Sequence, residues 1–235
     1  MSSRIGIIKT GTTHPRLRSI FGDFENWFQD SVGHAHFTTY DVAGGEKPPA
    51  IDACDGFIVT GSPAMVTEKA AWSENLKPWL VQIVNQNRPL LAVCYGHQLL
   101  AEALGGEAGW HPKGREIGTV AVNLTQAGKE DPLLGGLSDT FSAQVTHAQS
   151  ALVLPPGAIL LASNDYEPHQ AYRVGSQVWS VQFHPEFTAD IMRGYIFEAY
   201  EKLLEAQLPV KSLLAAVDHA DANHHLLQRF ADICD

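Results

Sequence analysis

A chain of 235 residues, 45% hydrophobic and 18% charged, is long enough for one sizeable α/β domain and too apolar for a disordered one. With 26 Asp and Glu against 16 Lys and Arg the formal net charge is -10 and no dense basic run is present, which excludes a nucleic-acid surface. No apolar run approaches membrane-spanning length, and the one near the N-terminus is too short for a signal peptide. The three cysteines, Cys54, Cys94 and Cys234, lack CxxC spacing, which fits a reducing cytoplasm and neither a disulfide scaffold nor a zinc site.

Residues 4–9 read as a first strand, β-branched and stopped by Thr10-Gly11. Residues 15–30 read as a helix with Leu17, Ile20, Phe21, Phe24 and Phe28 on one buried face. Residues 36–40 form a second strand. The stretch 41–51, with Gly44-Gly45 and Pro48-Pro49, is a loop. Strand, helix, strand in this order implies a right-handed crossover and a parallel sheet. The next strand, 55–59, runs into Thr60-Gly61-Ser62-Pro63, a turn at the carboxyl edge of the sheet, where ligands approach open α/β folds. Ser73 is the expected cap of a helix that ends near Asn87, before Arg88-Pro89.

The chain is organised around residues 89–106, PLLAVCYGHQLLAEALGG. Leu90 to Val93 has the length of a buried strand. Leu99, Leu100, Ala103 and Leu104 then fall on one helical face, and Gly105-Gly106 closes the helix. Cys94 sits at the join, flanked by the small residues Ala92 and Gly96. That is the pattern of a nucleophile elbow with sulfur in place of oxygen. A following helix aims free N–H groups and a partial positive charge at the sulfur, which favours thiolate.

Beyond Gly106 the pattern changes. Residues 117–124, 141–145, 159–162, 170–174 and 178–183 read as short strands with turns between, an antiparallel extension of the sheet. A helix follows over 189–204. Two short amphipathic helices, 210–217 and 223–233, close the chain, so that 1–204 is the expected main domain and 205–235 a helical extension packed on or beside it. His219, His224 and His225, near Asp218 and Asp221, read as a solvated helix face and not a metal site. His97 reads as packing. The loop holding Trp110, His111, Gly114, Arg115 and Glu116 is a candidate wall of a substrate pocket.

A cysteine nucleophile needs a base that can return its proton to the leaving group, and that base needs an orienting partner. His184-Pro185-Glu186 supplies both: in an extended segment, residues i and i+2 project to the same side. Acyl transfer also needs donors for the developing oxyanion. The Tyr95 backbone N–H, directly after the nucleophile, and the Gly61-Ser62 turn on the adjacent strand are the expected pair.

Taken together, TGSP after the third strand, CYGHQ at the elbow, the mid-chain His147 and FHPE before the last main helix resemble the class I (triad-type) glutamine amidotransferases over roughly residues 4–204. The pattern is most similar to free-standing members related to the amidotransferase part of GMP synthetase and to γ-glutamyl peptidases. The resemblance implies a flavodoxin-like α/β fold with a mostly parallel open sheet and helices on both faces. It implies that Cys94 attacks the γ-carboxamide of glutamine, or of another γ-glutamyl compound, and forms a γ-glutamyl thioester. His184 would shuttle protons, Glu186 orient it, and Gly61, Ser62 and Tyr95 stabilise the oxyanion. The Gln98 side chain would help hold the substrate, and the Thr146-His147 segment would bind its amino-acid end through the backbone. No metal or organic cofactor is implied. The partners implied are a small-molecule substrate and, for ammonia transfer, a separate synthetase subunit.

Four residues depart from the family pattern. Ala92 stands where glycine is usual, Ser62 where synthetase-linked members have a second glycine, and Ala148-Gln149 where they have Gly-Asp. Two other readings stay open: a γ-glutamyl peptidase that uses water alone, and a non-catalytic binding or regulatory protein on the same scaffold.

Overall fold

The computed structural model describes residues 2–235, apart from the side chains of residues 221–224. The elements, in chain order, are β1 (Arg4–Lys9), α1 (Pro15–Phe21), α2 (Phe24–Ser31), β2 (His36–Asp41), β3 (Gly56–Val59), α3 (Ala71–Asn85), β4 (Leu90–Val93), α4 (Tyr95–Ala103), β5 (Glu107–Trp110), β6 (Glu116–Leu124), α5 (Gln126–Lys129), β7 (Thr140–His147), β8 (Gln149–Val153), β9 (Ile159–Ser163), β10 (Ala171–Val174), β11 (Val178–Val181), α6 (Ala189–Glu198), α7 (Tyr200–Glu205), α8 (Val210–Ala216) and α9 (Asp221–Cys234).

Nine strands form one sheet in the order β2-β1-β3-β4-β11-β10-β9-β6-β7. The first five are mutually parallel; from β11 onward each pairing is antiparallel. The parallel strands are apolar on both faces, as a sheet covered on both sides requires: every residue of β3, β4 and β11 is buried. One face carries α2 and α9 over Ile5, Ile7, Ile58, Leu91 and Val93. The other carries α3 and α4 over Ile8, Val59, Leu90 and Ala92. A third cluster gathers α6, α7 and α8 around Trp27, Phe187 and Met192.

The expected helix over 15–30 is two helices. The chain turns at Gly22 (φ 81°), and Asp23 starts α2: its N–H donates to Asn26 Oδ1 at 2.9 Å and its Oδ1 accepts the Phe24 N–H at 3.0 Å. Ser73 is not a cap. It lies inside α3, which begins at Ala71, and is buried with its Oγ accepting from Tyr95 Oη at 2.7 Å. The helix expected over 189–204 breaks at Ala199 into α6 and α7. Strands β5 and β8 form a separate antiparallel ribbon that periodicity did not reveal. His219 and His225 are exposed; the reading of Asp221 and His224 lies outside the described residues.

Helix α9 contributes Leu226, Leu227, Phe230, Ala231 and Cys234 to the core on one side of the main sheet, one continuous face at helical spacing. Phe230 is fully buried, edge-on to Trp179 at 6.4 Å. Phe230→Ala is expected to lower the unfolding free energy by about 3–5 kcal/mol, read as a lower urea midpoint at unchanged slope. A loss near that of a surface substitution, about 0.5 kcal/mol, would mean that α9 rests on the domain without supporting it.

Candidate active site

Strand β4 lies between β3 and β11, and the chain leaves it through Cys94 with φ 50° and ψ -97°. This conformation is costly for a residue with a Cβ, about 1–3 kcal/mol, and persists only where its surroundings hold it. The Cys94 N–H donates to Val181 O at 2.9 Å, and its carbonyl accepts the Gln98 N–H at 3.1 Å. Two residues on, a Cβ on Gly96 would lie 2.9 Å from both Val59 Cγ1 and Val59 O, so β3 and α4 approach too closely for any side chain there. Cys94 is 6% exposed, and its thiol lies 3.9 Å from the Thr146 carbonyl.

His184 follows β11 on the same sheet edge, its N–H tied to Gln144 O at 2.8 Å. Its Nδ1–H donates to Glu186 Oε1 at 2.7 Å, and both side chains are buried. Nε2 has no hydrogen-bond partner among the described residues. Phe187 stacks on the ring at 4.0 Å between centroids, and Phe24 lies near-parallel to it at 6.4 Å. Burial disfavours the charged imidazole, but the Glu186 carboxylate and then the Cys94 sulfur outweigh it and push the His184 pKa up to about 10.

The Thr60-Gly61-Ser62-Pro63 turn leaves β3 beside this pair and is bolted to the end of β1. Thr10 Oγ1 donates to the carbonyls of Thr60 (2.9 Å) or Gly61 (3.0 Å), and Ser62 Oγ donates to Thr10 O at 2.7 Å. The N–H groups of Gly61 and Ser62 have no acceptor among the described residues. The Tyr95 N–H, in the first turn of α4, has no intrahelical partner. A Cβ on Gly61 would stand 2.8 Å from His184 Cε1, so the turn presses on the imidazole and admits only glycine.

The chain from Thr146 to Gln149 closes the site from the antiparallel side. His147 is fixed at both nitrogens, Nδ1 to Gln149 O and Nε2 to Glu116 Oε2, each at 2.9 Å. Glu116 also accepts from Asn164 Nδ2 at 2.9 Å and Gln170 Nε2 at 3.1 Å. Gln98 Nε2 donates to the same Gln149 carbonyl at 2.7 Å and to Gln182 Oε1 at 3.0 Å. His147 and Gln98 thus brace the segment as well as lining the space beside it.

A cavity of about 250 Å³ opens here. Of the residues singled out in the sequence, Ser62, Cys94, Tyr95, Gln98, Thr146, His147 and His184 line it; Gly61 and Glu186 stand behind His184. Of the candidate loop, Arg115 reaches this cavity, whereas His111 lines a separate one. Phe24 and Tyr195 also line it; Phe24 was legible only as a core residue, and nothing in the sequence singled out Tyr195. Phe24 sits in the third core cluster and lies along His184, and Tyr195 packs against that cluster and stacks on Phe187, so their place at the site depends on how α2 and α6 pack. Asp23 holds Phe24 in place. Burial would raise its carboxyl, but the Lys9 ammonium at 2.8 Å and the N–H groups of Thr13 and Phe24 keep it below the usual range. Among the described residues, no group of three or more His, Cys, Asp or Glu is placed to hold a metal, and no helix is long and apolar enough to cross a membrane.

A thiol on a strained elbow, a carboxylate-held imidazole and unsatisfied N–H groups around one cavity define a site equipped for acyl transfer. The family model for class-I glutamine amidotransferases matches residues 33–202, and the chain belongs to that family. It is 25% identical over 201 residues to gamma-glutamyl peptidase 3 of Arabidopsis thaliana, covering 82% of this chain and 78% of that protein. It is 33% identical over 149 residues to the glutamine-hydrolyzing GMP synthase of Aeropyrum pernix, covering 63% of this chain and 27% of that protein. A glutamine amidotransferase from Thermotoga maritima has the same fold, with a TM-score of 0.77 at 20% identity over 99% of each chain.

Gly61→Ala is expected to keep the fold and reduce turnover by about 10–100-fold, because the new methyl displaces an imidazole that must stay within hydrogen-bond reach of its partners. Steady-state kinetics beside a thermal melt checks this. Unchanged kcat/KM would mean that the turn has room to yield.

Proposed function

We propose that this chain is a cysteine-dependent hydrolase that cleaves the γ-amide of glutamine or of a γ-glutamyl compound through a γ-glutamyl thioester on Cys94. The observation that carries the reading is His184: one nitrogen is held by Glu186 at 2.7 Å, the other lacks a protein partner, and the ring shares a cavity with the Cys94 thiol.

In this reading Cys94 Sγ attacks the γ-carbonyl carbon as its proton passes to His184 Nε2. The carbonyl oxygen becomes an oxyanion held by the N–H groups of Tyr95 and the Gly61-Ser62 turn. The oxyanion collapses, the C–N bond breaks, and His184 returns the proton to the leaving amine. Water, deprotonated by the same imidazole, then cleaves the thioester to release a γ-carboxylate. Three free cysteines suit a reducing compartment, the cytoplasm.

A second reading, transfer of the released ammonia to a separate synthetase subunit, is favoured by the similarity to GMP synthase. Similarity to the gamma-glutamyl peptidase over 82% of this chain, against 63% for the GMP synthase, supports the γ-glutamyl hydrolase first.

Purified protein and its Cys94→Ala variant, given glutathione or glutamine, decide between these. Glutamate release from glutathione that falls at least about 10³-fold in the variant supports a γ-glutamyl peptidase. Release from glutamine alone supports the amidotransferase, and release that survives Cys94→Ala overturns the thioester.

The pH profile of kcat/KM tests the other half of the pair. The acid that protonates the leaving amine is lost as pH rises through the His184 pKa, so the alkaline limb is expected near pH 10. Glu186→Gln removes the carboxylate that sustains the charge and leaves burial to oppose it. The limb is then expected at lower pH, with activity down by about 10²–10⁴-fold. A limb that stays in place would mean that Glu186 does not hold the His184 proton.

A further inference from the structure

The cavity around Cys94 has an uneven charge. Among the described residues no Asp or Glu lines it, although acidic residues outnumber basic ones 26 to 16 in the chain. Its permanent charges are the cations Arg115 and Lys202. Arg4, Arg18, Arg173 and Arg193 each meet an aspartate. The half-buried Arg115 guanidinium has no carboxylate or carbonyl partner among the described residues. Burial lowers its pKa, and the Cys94 sulfur is the group that acts the other way. A partly desolvated guanidinium with five donors and no acceptor is poised for an anion that arrives with the substrate.

Its position is set in advance. Arg115 immediately precedes β6, where Glu116 pairs with His147, so it lies beside Ala148 on the cavity wall. Tyr166 Oη donates to the backbone carbonyls of Lys113 at 2.5 Å or Arg115 at 3.3 Å, and the next residue, Glu116, is locked by His147, Asn164 and Gln170. Glutamine brings one carboxylate and one ammonium. A γ-glutamyl amino acid brings two carboxylates and one ammonium, and its net charge matches a cavity lined by cations.

We infer that Arg115 receives a carboxylate of the substrate, in a cavity that takes anionic γ-glutamyl compounds. This rests on the γ-glutamyl hydrolase reading above and names what distinguishes its substrates. The guanidinium holds the carboxylate by two parallel N–H···O bonds, a geometry that lysine does not reproduce.

The test is calorimetric binding to the Cys94→Ala protein, with and without Arg115→Gln, using γ-glutamylglycine, γ-glutamylglycinamide, glutamine and glutamine α-amide. Each acid is expected to bind more tightly than its neutral counterpart wherever Arg115 holds that carboxylate, by about tenfold or more. Arg115→Gln is expected to erase that preference, and Arg115→Lys to restore part of it. Collapse of the glycine pair's preference assigns the leaving-group carboxylate; collapse of the glutamine pair's assigns the glutamyl one. Acid-to-amide ratios that are the same with Arg115 and with Gln, in proteins of equal melting temperature, overturn the inference alone. No binding of any of the four ligands to either protein overturns both it and the hydrolase reading.

Discussion

The left-handed backbone at Cys94 is the constraint on which the rest of the site depends. A β-carbon at φ 50° is unfavourable and must be held from outside. Val181 accepts its N–H, and Val59 presses against the glycine two residues later. Both restraints come from the strands on either side of β4, and both require these strands to be parallel and in register. The sheet is therefore the clamp that turns a cysteine out of the core and into a cavity. The same register brings the turn after β3 and the segment after β11 to the same edge, so one constraint assembles the thiol, the glycine turn and His184 together.

Of the histidines that meet the cavity, His184 and His147 divide the labour through their partners. His184 has one nitrogen bound and one without a partner, with aromatic rings along its faces. A carboxylate in a buried setting holds its charge against desolvation. His147 has both nitrogens engaged, by a carbonyl and by Glu116, and so stiffens the chain at Thr146–Gln149. Glutamine residues complete this scaffold: Gln98 and His147 converge on one backbone carbonyl, which pins a loop that would otherwise be free to move. The adjacent Arg115 inherits that rigidity through Glu116.

The C-terminal segment is part of the same architecture. Helix α9 lays an apolar face on the sheet beside α2, and α8 packs with α6 near the end of β6. The carbonyl of Asp218, between them, accepts from Gln144 Nε2 at 2.8 Å, while the Gln144 carbonyl takes the His184 N–H. The last thirty residues thus reach the imidazole through a single side chain and its backbone, a mechanical connection between the end of the chain and the site.

Short-range pattern was enough for the parallel half of the sheet, for the elbow and for the His184–Glu186 pair. Each depends on spacing within a few residues: a buried apolar run, small residues around Cys94, and two side chains on one side of an extended segment. The antiparallel half was legible as strands but without order, and the β5–β8 ribbon was invisible, because pairing at a separation of about forty residues leaves no local period. The break at Gly22-Asp23 was missed because the apolar spacing continues across it although Asp23 caps α2 there, and Ser73 was misread because a capping residue also serves inside folded structure, where a distant partner such as Tyr95 claims the hydroxyl. By itself the sequence determined the family and pointed to the candidate nucleophile and the residues proposed to assist it, since these are written in contiguous motifs. Only the tertiary structure decided that Phe24, Tyr195 and Arg115 face the same cavity, because their meeting depends on helix crossings and strand register that no single segment encodes.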